Sequence, residues 1–341
     1  MISQKENQFP IEQTQELNII DGGCAGGIDP FFKVLTENLK TKYFGFEASL
    51  SEFKKLKSLQ TKDVKFFNIA LHNKNGILDF HANSTVGSLF KRKDREKIYD
   101  EKFNIQKVQA HKLSDLLKRK LKVPLDILKL DIEGNELNVL KDIKKNLKDS
   151  TMLIKTECSF NSLKNTNNFG EIHLFLQSVG FRLIDITYSH GTFLGINSGD
   201  LLYLKKPEAV KKNNNIKNKK QYFLKLISIC YHLKLYENCL LYLSFSKHFF
   251  GEKSISLENL LYSKIYIPSI LPNLSNRLGF LFMTLSKLFF GNKWARKSIP
   301  KINRLGRIKY LFMNTRINFI KNYNKKIIDE KIKKYKIILD N

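Results

Sequence analysis

Three carboxylates and one lysine cluster where an apolar segment ends. The segment DILKLDIEGNELNVLKDI, residues 126–143, contains Lys129, Asp131, Glu133 and Glu136 and runs directly into a helical pattern. Such a cluster is costly unless its charges bind something. Asp131 and Glu133 project on the same side if the strand continues that far. Glu136 falls in the first helical turn, where the helix dipole alone would favour it. We therefore expect a functional role for Asp131 and Glu133 together.

A glycine-rich turn follows an earlier apolar run, in NIIDGGCAGG, residues 18–27. The dinucleotide pattern G-x-G-x-x-G fails here in both registers, because cysteine and alanine stand where glycine is needed. The spacing that fits is D-x-G-x-x-x-G, with Asp21, Gly23 and Gly27. Glycines let the backbone approach a ligand closely, and the acid can reach an amino group. The turn therefore favours a cofactor without phosphates, such as S-adenosylmethionine, although a plain tight turn has the same composition.

An acid closes the next predicted strand. Glu47 ends YFGFE twenty residues after Gly27, a position from which a carboxylate can accept hydrogen bonds from both ribose hydroxyls. The following segment VKFFNIALHNKNG, residues 64–76, would bring the end of a strand to the adenine side of the same crevice. A surface carboxylate and a simple strand-to-loop exit are the alternative interpretations of these two features.

Short apolar runs alternate with amphipathic segments from Leu17 to about Lys205. Runs typical of strands buried in a parallel sheet occupy residues 17–21, 42–47, 64–70, 125–131 and 151–157. Helical spacing of apolar residues occurs at 30–40, 50–59, 135–147 and 171–179. The alternation predicts an α/β fold with a doubly wound sheet, closed at one edge by strands at 180–188 and 199–206. The charged segment 84–104 is either a solvated loop or a lid.

The chain carries a formal net charge of +27, and most of it lies in the second part. Residues 205–341 hold 29 Lys and Arg against 7 Asp and Glu, whereas residues 1–204 hold 30 against 25. The basic part would suit a membrane surface, a nucleic acid or an acidic glycan. Biased codon usage, which also enriches Asn and Ile, is an equal explanation. Nucleic acid is disfavoured because no RNA-binding motif is recognised.

Four domain segments follow from these patterns. We predict an N-terminal extension at 1–16, a catalytic domain at 17–206, a basic linker at 207–221 and a smaller all-α basic region at 222–341. Within the last, residues 222–250 predict a helical hairpin. Residues 276–297 predict a basic apolar helix that either packs on its neighbours or lies in a membrane interface.

The cellular location is predicted from composition. No window of 18 uninterrupted apolar residues predicts a membrane span, and the polar N-terminus lacks the apolar core of a secretory signal. The four cysteines have neither disulfide-framework nor C-x-x-C spacing, which is typical of reduced thiols. We expect a cytoplasmic protein, with the inner membrane face as a peripheral docking site for the basic helices.

These motifs, in this order, resemble the FkbM family of S-adenosylmethionine-dependent methyltransferases. The resemblance covers residues 17 to about 205 and rests on D-x-G-x-x-x-G at 21–27, FGFEAS at 44–49, NIALHNKNG at 68–76, KVQAHKLSDLL at 107–117, LKLDIEGNE at 128–136, LIKTE at 153–157 and VGFRLIDI at 179–186. The KLDIEGNE block is the most specific of them. The first turn departs from a common family form, which has Ala-Asn where this chain has Cys24 and Ala25.

The resemblance implies a Rossmann-like class I methyltransferase sheet that binds S-adenosylmethionine. The cofactor-binding residues would be Asp21, Gly23, Cys24, Gly27, Glu47, Ala48, Asn68, Ala70, Leu71 and Asp131. It further implies methyl transfer to an oxygen of a sugar, glycan or related small acceptor, as in polysaccharide biosynthesis. The protein's task would be to align the acceptor hydroxyl and take its proton.

Asp131 and Glu133 are the candidate bases, and His190 is a further catalytic candidate for which a structural histidine is an equal alternative. Lys129 would hold Asp131 ionised. A divalent cation bound by Asp131, Glu133 and Glu157 is an alternative that we do not predict.

Two functions from other classes remain to be weighed. One is a non-catalytic scaffold in which a degenerate methyltransferase fold and basic helices dock on a membrane or nucleic acid. The retained acids Asp21, Glu47, Asp131 and Glu133 argue against it, since an unused site has no physical reason to keep them. The other is an NAD-dependent oxidoreductase, which the failed glycine spacing disfavours.

Overall fold

The computed structural model describes residues 16–82, 87–89, 104–160, 168–192, 195–265 and 332–333. They belong to two compact units. The described residues up to Leu233 belong to the first unit, and those from Lys234 onwards belong to the second.

Two sheets form the framework of the first unit. Its strands are β1 (Leu17–Gly22), β2 (Thr41–Phe46), β3 (Val64–Phe67), β4 (Ala70–Leu71), β5 (Gly76–Ala82), β6 (Gly87–Ser88), β7 (Asn104–His111), β8 (Ile127–Leu130), β9 (Leu153–Ser159), β10 (Phe181–Thr192) and β11 (Gly195–Lys205). Seven strands form one sheet in the order β10-β11-β9-β8-β1-β2-β3, and four form a small sheet in the order β4-β7-β5-β6. In the large sheet β11 runs antiparallel to both neighbours, and the other pairs are parallel.

The first unit also contains α-helices, of which the last two follow β11 and the others lie between strands. They are α1 (Pro30–Asn38), α2 (Leu50–Leu56), α3 (Leu113–Asp115), α4 (Glu136–Asp142), α5 (Lys144–Asp149), α6 (Phe169–Ser178), α7 (Pro207–Lys212) and α8 (Lys219–His232). Asp29 and Ser49 cap α1 and α2, since their side chains accept hydrogen bonds from the backbone N–H groups of Phe31 and Glu52.

The large sheet is buried on both faces. Ile20 and Leu128 belong to a core cluster with Leu137 of α4 and residues of α6, whereas the adjacent Ile19 and Ile127, equally buried, lie outside that cluster. Successive strand residues point to opposite faces, so the two isoleucines face the other side of the sheet. Helices α1 and α8 contact each other and also bury side chains outside the cluster. The predicted doubly wound α/β fold is confirmed.

The predicted strands and helices occur where expected, with two differences. The segment 64–70 divides into β3 and β4, which belong to different sheets. The helix predicted at 135–147 breaks at Ile143 into α4 and α5. The small sheet was not predicted: β5 and β7 pair antiparallel on either side of the charged segment 84–104, most of which lies outside the described residues.

The chain after β11 remains part of the first unit up to Leu233. Residues 207–221, expected to be a linker, contain α7 and the start of α8. Helix α8 is anchored at the amino ends of the strands. There the ammonium nitrogen of Lys225 lies 2.9 Å from Oδ1 of Asp126, and the Tyr222 hydroxyl donates to the carbonyl oxygen of Thr151 at 2.6 Å. The polar residues that suggested a linker are exposed residues of α7 and the non-helical residues 213–218 between the two helices.

The second unit, in its described part, contains α9 (Tyr236–Phe250) and α10 (Lys253–Ile265), which contact each other. The hairpin predicted at 222–250 is therefore divided between the two units at Leu233, and the basic helix predicted at 276–297 lies outside the described residues. None of the described helices is long and apolar enough to cross a membrane. All four cysteines are free and buried.

Candidate functional site

The chain order of the large sheet reverses between β1 and β8. Strands β2 and β3 follow on one side of β1, whereas β8 and β9 lie on the other. The loops that leave β1 and β8 are therefore neighbours, and in open α/β sheets ligands bind in the crevice that such a reversal creates. A cleft of about 690 Å³ opens at this point, lined by the loops after β1, β2 and β8 and by residues of the small sheet.

The loops after β1 and β8 touch through their backbones. The N–H of Asp131 donates to the carbonyl oxygen of Gly22 at 3.0 Å. Gly23 adopts a φ of 80°, and a Cβ at this position would lie 1.8 Å from the carbonyl oxygen of Asp131. Gly27 also has a positive φ, of 104°. The two glycines of the D-x-G-x-x-x-G pattern are thus required by backbone conformation, and Gly23 also by the close approach of Asp131.

Asp21 lies at the bottom of the cleft. Its side chain is fully buried, it accepts a hydrogen bond from the Tyr43 hydroxyl, and its Oδ1 lies 3.3 Å from the ammonium nitrogen of Lys129. Burial raises the pKa of Asp21 to about 6, although Lys129 and Tyr43 both oppose this increase. Burial alone would lower the pKa of Lys129, but the carboxylates around it reverse that effect and raise it. Asp21 therefore stabilises the charged form of Lys129.

Glu47 lies at the end of β2, buried in the cleft wall. Its Oε1 accepts a hydrogen bond from the backbone N–H of Ser49 at 2.8 Å, and burial raises the pKa of Glu47 to about 7. The side-chain amide of Asn68 donates to the carbonyl oxygens of Glu47 and Ala48, at 2.9 and 3.0 Å. Asn68 thus stabilises the backbone of the turn at Glu47 and Ala48. It is not among the residues that line the cleft.

The loop after β8 does not continue the strand. The strand ends at Leu130, and Glu133 has a left-handed backbone with a φ of 56°, so the alternation that would have aligned Asp131 with Glu133 does not apply. Both residues nevertheless line the cleft. Glu136 supports the loop, because its carboxylate accepts hydrogen bonds from the N–H groups of Ile132 at 2.9 Å and Gly134 at 3.0 Å.

Most of the residues implied to bind the cofactor come together around the cleft. The cleft is lined by Asp21, Gly23, Cys24, Gly27, Glu47, Ala48, Ala70, Leu71, Asp131 and Glu133, among others. The thiol of Cys24 is buried, which raises its pKa. These positions are observed; the roles of the residues stay predictions.

Two other candidates are not among the described residues that line the cleft. Glu157, on β9, is not among the lining residues, and burial together with neighbouring carboxylates raises its pKa. His190 pairs with Ser198 in the β10–β11 ladder, and its side chain lies outside the described part of the structure. Among the described residues, no three His, Cys, Asp or Glu side chains form a group that could hold a metal ion.

Sequence reasoning missed the cleft residues that β5 and the residue after β6 contribute. Phe80, Ala82 and Leu89 line the cleft beside Ile132. It also missed Tyr43, the partner of Asp21, although the tyrosine lies in the quoted strand YFGFE. Alternating apolar residues in GILDFHA, residues 76–82, are the signal that could have revealed β5.

The cleft is acidic although the chain is basic. Its lining contains two lysines, Lys55 and Lys129, and six carboxylates, at Asp21, Asp29, Glu47, Glu52, Asp131 and Glu133. A cavity of this composition attracts cations and hydroxyl groups and repels phosphates.

The fold and the position of the cleft define a doubly wound α/β domain with a cleft at the point where the strand order reverses. The family model for the methyltransferase FkbM domain matches residues 22–183. The family predicted from the motifs is thus confirmed for residues 22–183.

Solved structures of methyltransferases resemble the chain at low identity. A methyltransferase FkbM from Methylobacillus flagellatus KT shares 11% identity with a TM-score of 0.37, over 55% of this chain and 43% of its own. Magnesium protoporphyrin IX methyltransferase from Synechocystis PCC 6803 shares 11% with a TM-score of 0.30, over 56% and 71%. A putative rRNA methylase from Clostridium thermocellum shares 12% with a TM-score of 0.32, over 55% and 88%.

This chain thus matches less than half the length of the Methylobacillus protein. No curated protein matches the chain.

Proposed function

We propose that the protein is an S-adenosylmethionine-dependent O-methyltransferase that acts on a hydroxyl of a sugar, a glycan or a related small molecule. The observation that carries the proposal is the acidic cleft at the strand-order reversal, inside an FkbM-type domain. The glycine loop follows β1, Glu47 follows β2, and Asp131 and Glu133 follow β8. The cleft is therefore built from three different strand ends, as a site for an extended ligand requires.

The residues present fit S-adenosylmethionine better than a dinucleotide. Gly23 and Gly27 leave the loop after β1 without side chains at two turns, which suits close approach of the methionyl part. The carboxylates of the lining suit a sulfonium and an ammonium group, whereas they would repel the pyrophosphate of NAD. Glu47, Ala70 and Leu71 all line the cleft. In this proposal Glu47 would accept hydrogen bonds from the ribose hydroxyls, and Ala70 and Leu71 would give the adenine an apolar surface.

When bound, the cofactor supplies an electrophilic methyl group to the acceptor oxygen. The chain's own part is to orient the acceptor hydroxyl and accept its proton, which Asp131 or Glu133 would do from the loop after β8. Phe80 and Leu89, which share one apolar cluster, and Ile132 of the loop after β8 all line the cleft and would help to exclude water from it.

The basic residues of 205–341 support a further part of the proposal. They would hold the enzyme near an anionic partner, either a membrane surface or an acidic glycan, which suits a lipid-linked or surface polysaccharide as acceptor.

Isothermal titration with S-adenosylmethionine and with NAD tests the cofactor. We expect binding of S-adenosylmethionine alone and an affinity about tenfold lower in Glu47→Ala. Glu37→Ala is the matched control, since this glutamate is exposed on α1 and lies outside the cleft lining. A folded wild-type protein that binds neither cofactor would overturn the proposal and favour the scaffold alternative.

Release of S-adenosylhomocysteine tests the acceptor. Methyl glycosides, neutral oligosaccharides, acidic oligosaccharides and RNA are offered separately to the wild-type protein. Turnover with any of the carbohydrates supports the proposal. Turnover with RNA alone contradicts the proposed acceptor class.

A further inference from the structure

Lys129 reaches oxygen atoms on two loops and one strand. It lies on β8 with its side chain 7% exposed. Its ammonium nitrogen donates to the carbonyl oxygen of Gly23 at 3.0 Å and lies 3.3 Å from Oδ1 of Asp21 and 3.5 Å from Oδ2 of Asp131. An ammonium group has three N–H donors, so these three oxygens can occupy its full capacity.

The base of this arrangement is fixed by the sheet. Asp21 and Lys129 are register partners on the parallel strands β1 and β8. Tyr43, on β2, donates its hydroxyl hydrogen bond to Asp21 from the other side. A polar chain therefore runs from the sheet interior through Asp21 and Lys129 to Asp131, which is about half exposed at the cleft.

Removing the ammonium would take away the one partner that Asp21 and Asp131 share. The pKa of Asp21, which burial already raises, would rise further, and Asp21 would stay bonded to Tyr43. The Asp131 side chain would lose the group that holds it. The Gly23 carbonyl would lose its donor at the same time. The loops after β1 and β8 would thus lose the side chain that contacts both of them.

We propose that Lys129 is a positioning residue for cofactor binding, which fixes the Gly23 carbonyl and the Asp131 carboxylate relative to each other. The inference rests on the proposed function, because S-adenosylmethionine is taken as the ligand. It differs from a role as counter-ion of Asp21 alone, which would affect stability and leave the cleft geometry unchanged.

The chain offers a matched control for buried lysine removal. Lys225 has a side chain 8% exposed and is ion-paired with Asp126, which is 3% exposed. The corresponding fractions for Lys129 and Asp21 are 7% and 0%. The first pair lies at the amino ends of the strands and the second at their carboxyl ends, so only the second borders the cleft.

The experiment compares wild type, Lys129→Met and Lys225→Met by titration with S-adenosylmethionine and by thermal unfolding. Both variants should lower the melting temperature, because each leaves a buried carboxylate unpaired. Only Lys129→Met should weaken S-adenosylmethionine binding, by about tenfold or more. Equal affinities in the wild type and Lys129→Met would overturn the inference while the proposed function stands. Absence of binding by the folded wild type would overturn both.

A second pair of variants covers the case in which Lys129→Met does not fold. Asp21→Asn is compared with the double variant Asp21→Asn/Lys129→Met, in which no charged carboxylate is left at the bottom of the cleft. The double variant should fold and still bind S-adenosylmethionine about tenfold more weakly than Asp21→Asn. If the two bind equally, Lys129 acts only as the counter-ion of Asp21, and the inference is wrong.

Discussion

Ser88 donates a hydrogen bond from its hydroxyl to the carbonyl oxygen of Glu133 at 2.8 Å, across 45 positions of the chain. The bond links β6 of the small sheet to the loop after β8, where Glu133 has a left-handed backbone. In the described residues Lys122 and Lys234 also have positive φ, but both follow helical segments, which such residues commonly end. Glu133 instead precedes a helix and lines the cleft, which points to a functional reason for its strain.

Glu133→Gly should stabilise the protein. A left-handed residue with a Cβ is strained, and glycine removes that strain at some entropic cost, so the expected gain is about 0.5–1 kcal/mol in the free energy of unfolding. Urea denaturation measures it, with Lys122→Gly as the control for strain relief alone. A loss of stability in Glu133→Gly, with a gain in Lys122→Gly, would show that the Glu133 side chain supports the fold instead.

Glu47→Gln should change the pH dependence of stability. The folded pKa of Glu47, about 7, lies above its ordinary value of 4.5 because the group is buried. The charged form therefore opposes folding: the penalty is absent below the ordinary value, grows as the pH rises towards 7 and is complete above it. Glutamine removes the penalty, so the variant should gain up to about 3 kcal/mol over wild type at pH 8 and little at pH 4.

Urea denaturation at the two pH values tests this prediction. The same variant should bind S-adenosylmethionine more weakly if the Glu47 carboxylate accepts hydrogen bonds from the ribose hydroxyls. An equal stability difference at pH 4 and pH 8 would contradict the assignment of the penalty to ionisation of Glu47.

Helix α8 should be essential for the first unit to fold, although it lies beyond the matched domain, residues 22–183. Lys225→Met leaves Asp126 buried without its ammonium partner, and we expect a loss of about 3–5 kcal/mol. Asp126→Asn in the same chain should recover much of this loss, because an amide is cheaper to bury. Chemical denaturation of the single and double variants measures the coupling. A change below about 0.5 kcal/mol in Lys225→Met would mean that α8 contributes little.

The thiols should be unreactive in the native protein. All four cysteines are free and buried, and burial raises the pKa of Cys24 and of Cys158. Thiolates are the reactive form, so labelling by a disulfide reagent should be slow until the chain unfolds. Denaturation should then release four thiols. Rapid labelling of one thiol in the native state would contradict the burial of that cysteine.

The large sheet could be predicted because its strands are short apolar runs separated by amphipathic helices, a pattern fixed by burial on both faces. The small sheet could not be predicted in the same way. Strand β7 shows exposed and buried positions in alternation and pairs with β5 across a charged segment, so its partner is not readable from local sequence. The Asp21–Tyr43 contact depends on strand order, which composition does not reveal.

The candidate site could also be predicted only in part from the sequence. Residues tied to backbone requirements, Gly23 and Gly27, were correctly placed at tight turns. The expected alignment of Asp131 and Glu133 depended on continuation of β8, which ends one residue before Asp131. The residues after β8 instead form a loop whose backbone N–H groups donate to the Glu136 carboxylate. Residue spacing alone does not specify this arrangement.

The contact between Gly23 and Asp131 has a consequence for local opening. The N–H of Asp131 is bonded to the Gly22 carbonyl, and the Asp131 backbone lies directly against Gly23, so opening either loop breaks contacts of the other. We expect the loops after β1 and β8 to open as one cooperative unit, so their amide hydrogens should exchange with solvent at a common rate. A ligand that touches only one of the loops would then slow hydrogen exchange in both.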